Sequence, residues 1–210
     1  MPGRATRARR PSPLGIVLLV LLEEAPMHAY RMQQLIKERE KDTVVNVASR
    51  NSVYQVLGRL ERDGLVAVRE TSRELRRPER TVYEITDAGR DEMHRWLVSA
   101  LSEPRNEYPE LPAALASVAV LTTDEAATHL QARASRLREV LAGPGPEAVA
   151  AEYGLPRVFV VEEEYKRAMA AAELAWLTAV VDDLQSGALT WDAAELRSSG
   201  LAERPGGPTE

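Results

Sequence analysis

Between Ser49 and Ile85 the chain gathers the residue types that hold nucleic acid. The stretch SRNSVYQVLGRLERDGL carries Arg50, Asn51, Ser52, Tyr54, Gln55 and Arg59 in close succession. Side-chain amides pair bidentately with base edges, while hydroxyls and guanidinium groups hold phosphate oxygens. Asn51 and Gln55 stand four apart, one above the other on a helix surface, and either amide could read adenine. Downstream, VAVRE, a loop RELRRPER and TVYEI bring in Arg69, Arg73, Arg76, Arg77 and Arg80. Each phosphate such a cation neutralises adds about −0.9 to a log–log salt slope. Glu70, Glu74 and Glu79 dilute that charge, so only some of the five arginines would reach phosphate. The competing reading, an ordinary solvated helix face and loop, must be weighed against the elements that carry these residues.

Those elements follow from hydrophobic spacing. Val53, Val56, Leu57 and Leu60 form one helical face, the polar residues above lie away from it, and Gly64 is a natural C-terminal stop. Val66 and Val68, and then Thr81 or Val82 with Tyr83 and Ile85, alternate, which predicts a hairpin over 65–70 and 80–85. Helix, strand, basic loop and strand in that order make the working half of a winged helix-turn-helix, which offers one helix to the major groove and one hairpin to the backbone. Upstream, Ser12 before Pro13 is an N-cap followed by a first-turn proline. Leu14, Val17, Leu18, Leu21 and Leu22 then repeat at helical spacing as far as Pro26. A second helix is predicted over His28 to Arg39, a loose DTVVNVA follows, and Ser49 is the expected cap of the third helix. Thr86 opens a fourth helix to about Leu101.

Composition narrows the function. The chain has 210 residues and no cysteine, which excludes disulfides and thiolate chemistry. Residues 1–100 hold 18 Lys+Arg against 14 Asp+Glu, a net of +4, whereas residues 101–210 hold 9 against 18, a net of −9. A basic front and an acidic back suit a nucleic-acid-binding domain joined to one that avoids phosphate. The apolar run Leu14 to Leu22 is too short to span a bilayer. It lacks a small-residue cleavage site, so a cytoplasmic protein is expected rather than a secreted one. Residues 1–12 read as a flexible basic arm; Arg7, Arg9 and Arg10 could enter a minor groove, although plain disorder is the simpler account. His28, His94 and His129 show no metal spacing, GPGP at 143–146 is no phosphate loop, and neither a nucleophile nor a cofactor motif is present. An enzyme is not expected.

SEPRNEYPELP breaks the pattern and sets a linker over 102–112. Beyond it, Thr122 and Glu125 predict a capping box and a helix to about Leu141. The longest helix is expected from about Pro156 to Ser186. Val158, Val161, Tyr165, Ala168, Ala172, Ala175 and Ala179 recur on it at spacings of 3 and 4, a coiled-coil-like seam. Met169, Trp176, Val180 and Leu184 widen that stripe, so the helix is expected to face both its own domain and a second subunit. Glu162, Glu163 and Glu164 read as a solvated face. Tyr153, Phe159, Tyr165 and Trp176 either line an effector pocket at the dimer interface or pack as ordinary core. The tail from Ser198 is expected to be disordered.

With these pieces placed, the chain resembles the PadR-like family of bacterial transcriptional regulators in its longer form. The residues carrying the likeness are LGIVLLVLLEEAPMHAYRMQQLI, SVYQVLGRLERDGLV, RPERTVYEITDAG and RWL. In the acidic half they are ELPAALASVAVLTTDEA and LPRVFVVEEEYKRAMAAAELAWLTAVVDDL. The likeness spans roughly residues 13–186. HAY at 28–30 departs from the family's central glycine, and VVNVASRN lacks its proline and glycine. The resemblance implies a mainly α fold with a small β-hairpin: a winged helix-turn-helix over 13–101 and an all-α dimerisation and effector domain over 113–197. It carries over Ser52 and Tyr54 as the S-x-Y that opens the recognition helix. It also implies a homodimer on an inverted repeat of double-stranded DNA, most often a repressor, with effectors altering the spacing of the two reading heads. The dimer contact would fall on Val158, Val161, Tyr165, Ala168, Ala172, Ala175 and Trp176. The alternative left open is a winged helix used for protein docking, its wing arginines facing an acidic partner.

Overall fold

The computed structural model describes residues 12–47, 50–72 and 80–198. The chain divides into two compact units, Met1–Asn106 and Glu107–Glu210. The basic arm, Ser49, Arg73, Arg76, Arg77 and the end of the tail lie outside the described residues.

In the first unit, helix α1 (Pro13–Glu24) starts where the Ser12 hydroxyl accepts the Gly15 N–H at 3.0 Å. It is apolar nearly all round. Leu14, Leu18, Leu19, Leu21 and Leu22 are buried, and the helix packs against α3, α4 and β3, whose ranges follow. The second helix, α2 (Ala29–Glu38), begins later than sequence spacing predicts. Met27–His28 are instead extended as strand β1, because they pair with Tyr83 and Val82. No local pattern in two residues can announce a strand whose partner lies more than fifty positions away.

A 3-10 turn, Lys41–Thr43, and the buried Val45 and Val47 shape the approach to α3 (Arg50–Arg62). Val53, Leu57 and Leu60 of α3 are fully buried and Val56 partly so. The helix stops at Gly64, whose φ of 72° is left-handed. Strands β2 (Val66–Ser72) and β3 (Arg80–Ile85) then form an antiparallel hairpin, and the sheet order is β1-β3-β2. Register shifts between Val68 and Glu70, leaving Arg69 as the extra residue of a bulge. Before the bulge the register from Val66 to Val68 is unbroken, yet Val66 is buried whereas Val68 is exposed.

Helix α4 (Asp87–Ser102) is capped by Thr86, whose hydroxyl accepts the Gly89 N–H at 3.0 Å and donates to the Gly64 carbonyl at 2.8 Å. Thr86 N–H also donates to the Leu65 carbonyl at 3.1 Å. One residue therefore ties the end of α3 to the start of α4.

The second unit contains helices α5 (Glu110–Leu115), α6 (Thr123–Ala142), α7 (Pro146–Glu152), α8 (Val161–Ser186) and α9 (Ala193–Ser198). Thr122 and Glu125 make the reciprocal capping box that opens α6. Its core packs Ala126, Leu130 and Ala134 of α6 against Leu177, Val181 and Leu184 of α8. Trp191 closes one end of this core, its indole N–H donating to the Leu121 carbonyl at 2.8 Å.

Two expectations change here. GPGP is more than a turn, because Pro146 starts α7 directly after Gly145. The long helix begins at Val161, not Pro156: Arg157–Phe159 form a 3-10 turn, and Val160, buried with φ −124° and ψ 2°, separates the two. Val158 is therefore not on the seam helix.

Candidate nucleic-acid interface

Helix α3 divides into two faces. The buried one anchors it in the core; the other presents Asn51, Tyr54, Gln55 and Arg59 as exposed side chains, with Ser52 half-buried beside them. Tyr54 is 53 % exposed, a large area of ring for a helix position unless something is to cover it. Arg50 begins the helix, though its side chain is not among those described.

The charges of this unit separate the interface from its surroundings. Arg31 pairs with Glu38 at 3.0 Å, Arg90 with Glu23 at 2.8 Å and Asp87 at 2.9 Å, and Arg39 bridges to Glu24. Arg95 is joined to the buried Glu92. Among the described residues, Arg59 and Arg62 on α3 and Lys37 on α2 form no ion pair. Arg62 donates its Nε–H to the Gly58 carbonyl at 3.1 Å, so part of its charge serves the C-terminal end of its own helix. Sequence reading missed Arg62; its place one turn beyond Arg59, in the phrase RLERDGL, was the available signal.

The hairpin carries Arg69 at the bulge, 3.7 Å from Glu84 across the strands, with both side chains more than one-third exposed. Such a pair is weak and a phosphate can compete with it. Arg80 is paired with Ser72 in the sheet, while Arg73, Arg76 and Arg77 lie outside the described residues. On the central strand Tyr83 is half-buried. Its phenol is pushed above the ordinary range, first by burial and then by the neighbouring Glu61 carboxylate and Tyr54 hydroxyl. It therefore stays neutral and sits beside α3, a link between helix and hairpin that alternation in TVYEI could not reveal.

In the second unit α8 also has two faces. Leu177, Val181 and Leu184 are buried against α6, whereas Val161, Tyr165, Ala168, Ala172 and Ala175 are exposed in the single chain, as is Trp176. Glu164 is not simply solvated: the Arg157 guanidinium grips it through Nε and Nη2, at 2.8 and 2.7 Å, and holds its carboxyl below the usual range. Tyr153, Phe159, Tyr165 and Trp176 are exposed in the single chain, so they are not ordinary core within it. A shallow cleft of about 550 Å³ lies among Leu141, Pro146, Glu147, Glu164, Arg167 and Ala168. Among the described residues no group of acids and histidines is arranged to hold a metal, and no helix is long and apolar enough to cross a membrane.

An outward polar helix face, backed by a buried one and flanked by a bulged arginine-bearing hairpin, is the arrangement of a winged-helix reader. Residues 17–95 match the family model of the transcriptional regulator PadR-like family. The winged-helix unit belongs to the PadR-like family. That places it among DNA-binding transcription regulators and not among enzymes.

Solved PadR-like structures share the fold over most of the chain. Bacillus subtilis PadR in complex with operator DNA matches with a TM-score of 0.59 at 18% identity, covering 81% of this chain and 98% of that one. The same protein in complex with p-coumaric acid gives 0.61 at 16% identity, covering 83% and 99%. The Vibrio cholerae virulence activator AphA gives 0.57 at 20% identity, covering 82% and 98%. No curated protein sequence matches the chain significantly.

Proposed function

We propose that the protein is a dimeric, sequence-specific DNA-binding repressor of the bacterial cytoplasm that responds to a small-molecule effector. The observation that carries this is the exposed polar face of α3 with its unpaired arginines, in a unit that otherwise neutralises most of its described cations internally. In this reading Asn51 and Gln55 read base edges, Ser52 and Tyr54 hold phosphate, and Arg50 and Arg59 do either. The wing arginines Arg69, Arg73, Arg76, Arg77 and Arg80 hold the backbone alongside.

A dimer is supported by the exposed stripe of Val161, Tyr165, Ala168, Ala172, Ala175 and Trp176 on α8. The alanines let a second helix approach closely, and a two-fold pair of readers calls for an inverted repeat. Effector response rests on likeness to Bacillus subtilis PadR, which has been solved with both operator DNA and p-coumaric acid.

The test is a mobility shift with the DNA upstream of the protein's own gene, in excess non-specific competitor and at rising salt. A competitor-resistant, salt-sensitive complex is expected. Replacing Arg76, Arg77 and Arg80 with alanine should flatten the salt dependence by about one unit per lost phosphate contact. Absence of any complex would leave the wing to a docking role with an acidic protein partner.

A further inference from the structure

We propose that the chain between the two units turns at one joint, Asn106–Tyr108, and that Trp191, far along the chain, is the positioning residue that fixes the second-unit side of it. The proposal goes beyond the DNA-binding reading and does not depend on it, because it concerns how the reading unit is carried and not what it reads. Any change in the spacing of two reading heads has to pass this stretch of chain.

The first unit ends in a fastened segment. Helix α4 stops at Glu103, whose N–H donates to the Ser99 carbonyl at 3.0 Å. The Ser99 hydroxyl donates to the Glu103 carboxylate at 3.0 Å and accepts from Arg105 Nη2 at 2.6 Å, so residues 103–105 fold back on the last turn of α4. The units divide one residue later, between Asn106 and Glu107. Tyr108 then has a φ of 49°. Positive φ is disfavoured for any side chain but glycine, and the residue before a proline, here Pro109, is pushed toward extended backbone. Tyr108 combines both penalties, and its ring, 83 % exposed, is not held by a core. Glu40, with φ 56°, is accounted for differently: it follows the end of α2, and its carbonyl accepts the Thr43 hydroxyl at 2.9 Å. No helix ends at Tyr108. Strain of this kind persists only where the surroundings over-determine it, and here those surroundings are the fastened segments on either side.

Beyond Pro109, α5 and the 3-10 turn Val118–Val120 rest on the core of the second unit through Leu115 and Val118. What closes this segment down comes from the far end of the chain. Gly187, with φ 79°, ends α8, and the chain reverses as the Leu189 N–H donates to the Asp183 carbonyl at 3.0 Å. Trp191 packs against the α6–α8 core, and its indole N–H reaches the Leu121 carbonyl, immediately before the Thr122 cap of α6. Asp192 Oδ1 accepts the N–H groups of Ala194 and Glu195 at 2.7 and 3.0 Å, which starts α9. Ala193 is buried and α9 lies against the 3-10 turn. Residues 191–198 thus form a strap over residues 118–121. With the strap closed, everything from Pro109 onward moves with α6 and α8, and turning is confined to Asn106–Tyr108.

The test needs no DNA. The chain has no cysteine, so Asp91→Cys on α4 and Ala132→Cys on α6, both exposed, take one spin label in each unit. Doubly labelled full-length chain is diluted into excess unlabelled protein, and double electron–electron resonance reads the distance between the labels. The native chain should give one narrow distribution. Tyr108→Ile, whose β-branched side chain shuns positive φ, should move its centre by several ångströms. Tyr108→Gly, which accepts either sign of φ, should widen it. Trp191→Phe keeps an aromatic ring and removes the indole N–H. It should widen the distribution and raise hydrogen exchange of residues 113–121 by roughly three- to tenfold, while the buried face of α6 and the first unit exchange as before. A native distribution in both Tyr108 variants overturns the joint, and native exchange of residues 113–121 in Trp191→Phe overturns the anchor. If the native distribution is itself broad, no single conformation is held there and the proposal falls.

Discussion

Replacing Gly89 with alanine tests how α3 is held. A Cβ built on Gly89 would lie 2.1 Å from the Leu65 carbonyl oxygen and 2.8 Å from Cγ1 of Ile85. Backbone cannot swing aside as a side-chain tip can, so α4 must retreat by more than an ångström from the α3–β2 corner. Three hydrogen bonds converge there: Thr86 N–H to Leu65, the Thr86 hydroxyl to Gly64, and Gly89 N–H to the Thr86 hydroxyl. Alanine gains up to about 1 kcal/mol of helix propensity over glycine. Against this stand about 1–3 kcal/mol for overpacking and about 0.5–1.5 kcal/mol for each bond weakened. The net expectation is a loss of about 2–4 kcal/mol confined to the first unit. Hydrogen exchange with mass spectrometry on the full chain reads the two units separately. Amides of α3, β2 and α4 should lose protection while those of α6 and α8 keep theirs, and DNA affinity should fall with the distorted corner. If Gly89→Ala is as well protected as the native chain, or better, helix propensity outweighs the close approach and the reasoning is wrong.

Gln55→Ala should relax sequence preference by about 1–3 kcal/mol at one base position while folding survives; unchanged specific binding for both Gln55→Ala and Tyr54→Ala would remove α3 from the reading role. Ala172→Glu with Ala175→Glu should shift the protein toward monomer in light scattering and weaken operator binding far more than it unfolds the first unit; a double variant that stays dimeric and binds normally places the interface elsewhere. Arg95→Ala should cost roughly 1–3 kcal/mol, since it strands the carboxylate of Glu92, a residue only 4 % exposed. Glu92→Gln, which removes the charge itself, should cost less in the same denaturant titration. The Arg39 guanidinium, bonded to Glu24, holds that carboxyl below its ordinary 4.5. A depressed folded value means the pair stabilises above pH 4.5 and loses that contribution as pH falls through the lower value. Both side chains are nearly half exposed, so the effect stays within about 1 kcal/mol, and Arg39→Gln should abolish this part of the acid-side loss in a pH-dependent melt.

Local order was legible in the sequence wherever the determinants lie within a turn or two. The Ser12 and Thr86 caps, the capping box at Thr122, the stop at Gly64 and the buried face of α3 all depend on residues three or four apart, which is the range over which helical hydrogen bonds and side-chain neighbours act. The polar face of α3 was visible for the same reason, being whatever the apolar spacing leaves over. Tertiary structure decided what depends on distant partners. Met27–His28 become a strand only because β3 lies beside them, Arg69 becomes the extra residue of a bulge only through the pairing of β2 with β3, and it meets Glu84 only across the hairpin. The seam on α8 shows both sides of this division. Its spacing was plain from Val161 onward, but Val160 breaks the helix before Val158 can join it, with Arg157 reaching forward to Glu164 across that break. Which arginines of the first unit remain available for phosphate was likewise undetermined by spacing. Charge count is a property of composition, whereas neutralisation depends on which carboxylate the fold brings within a few ångströms, as it does for Arg31, Arg39 and Arg90 and does not for Lys37, Arg59 and Arg62.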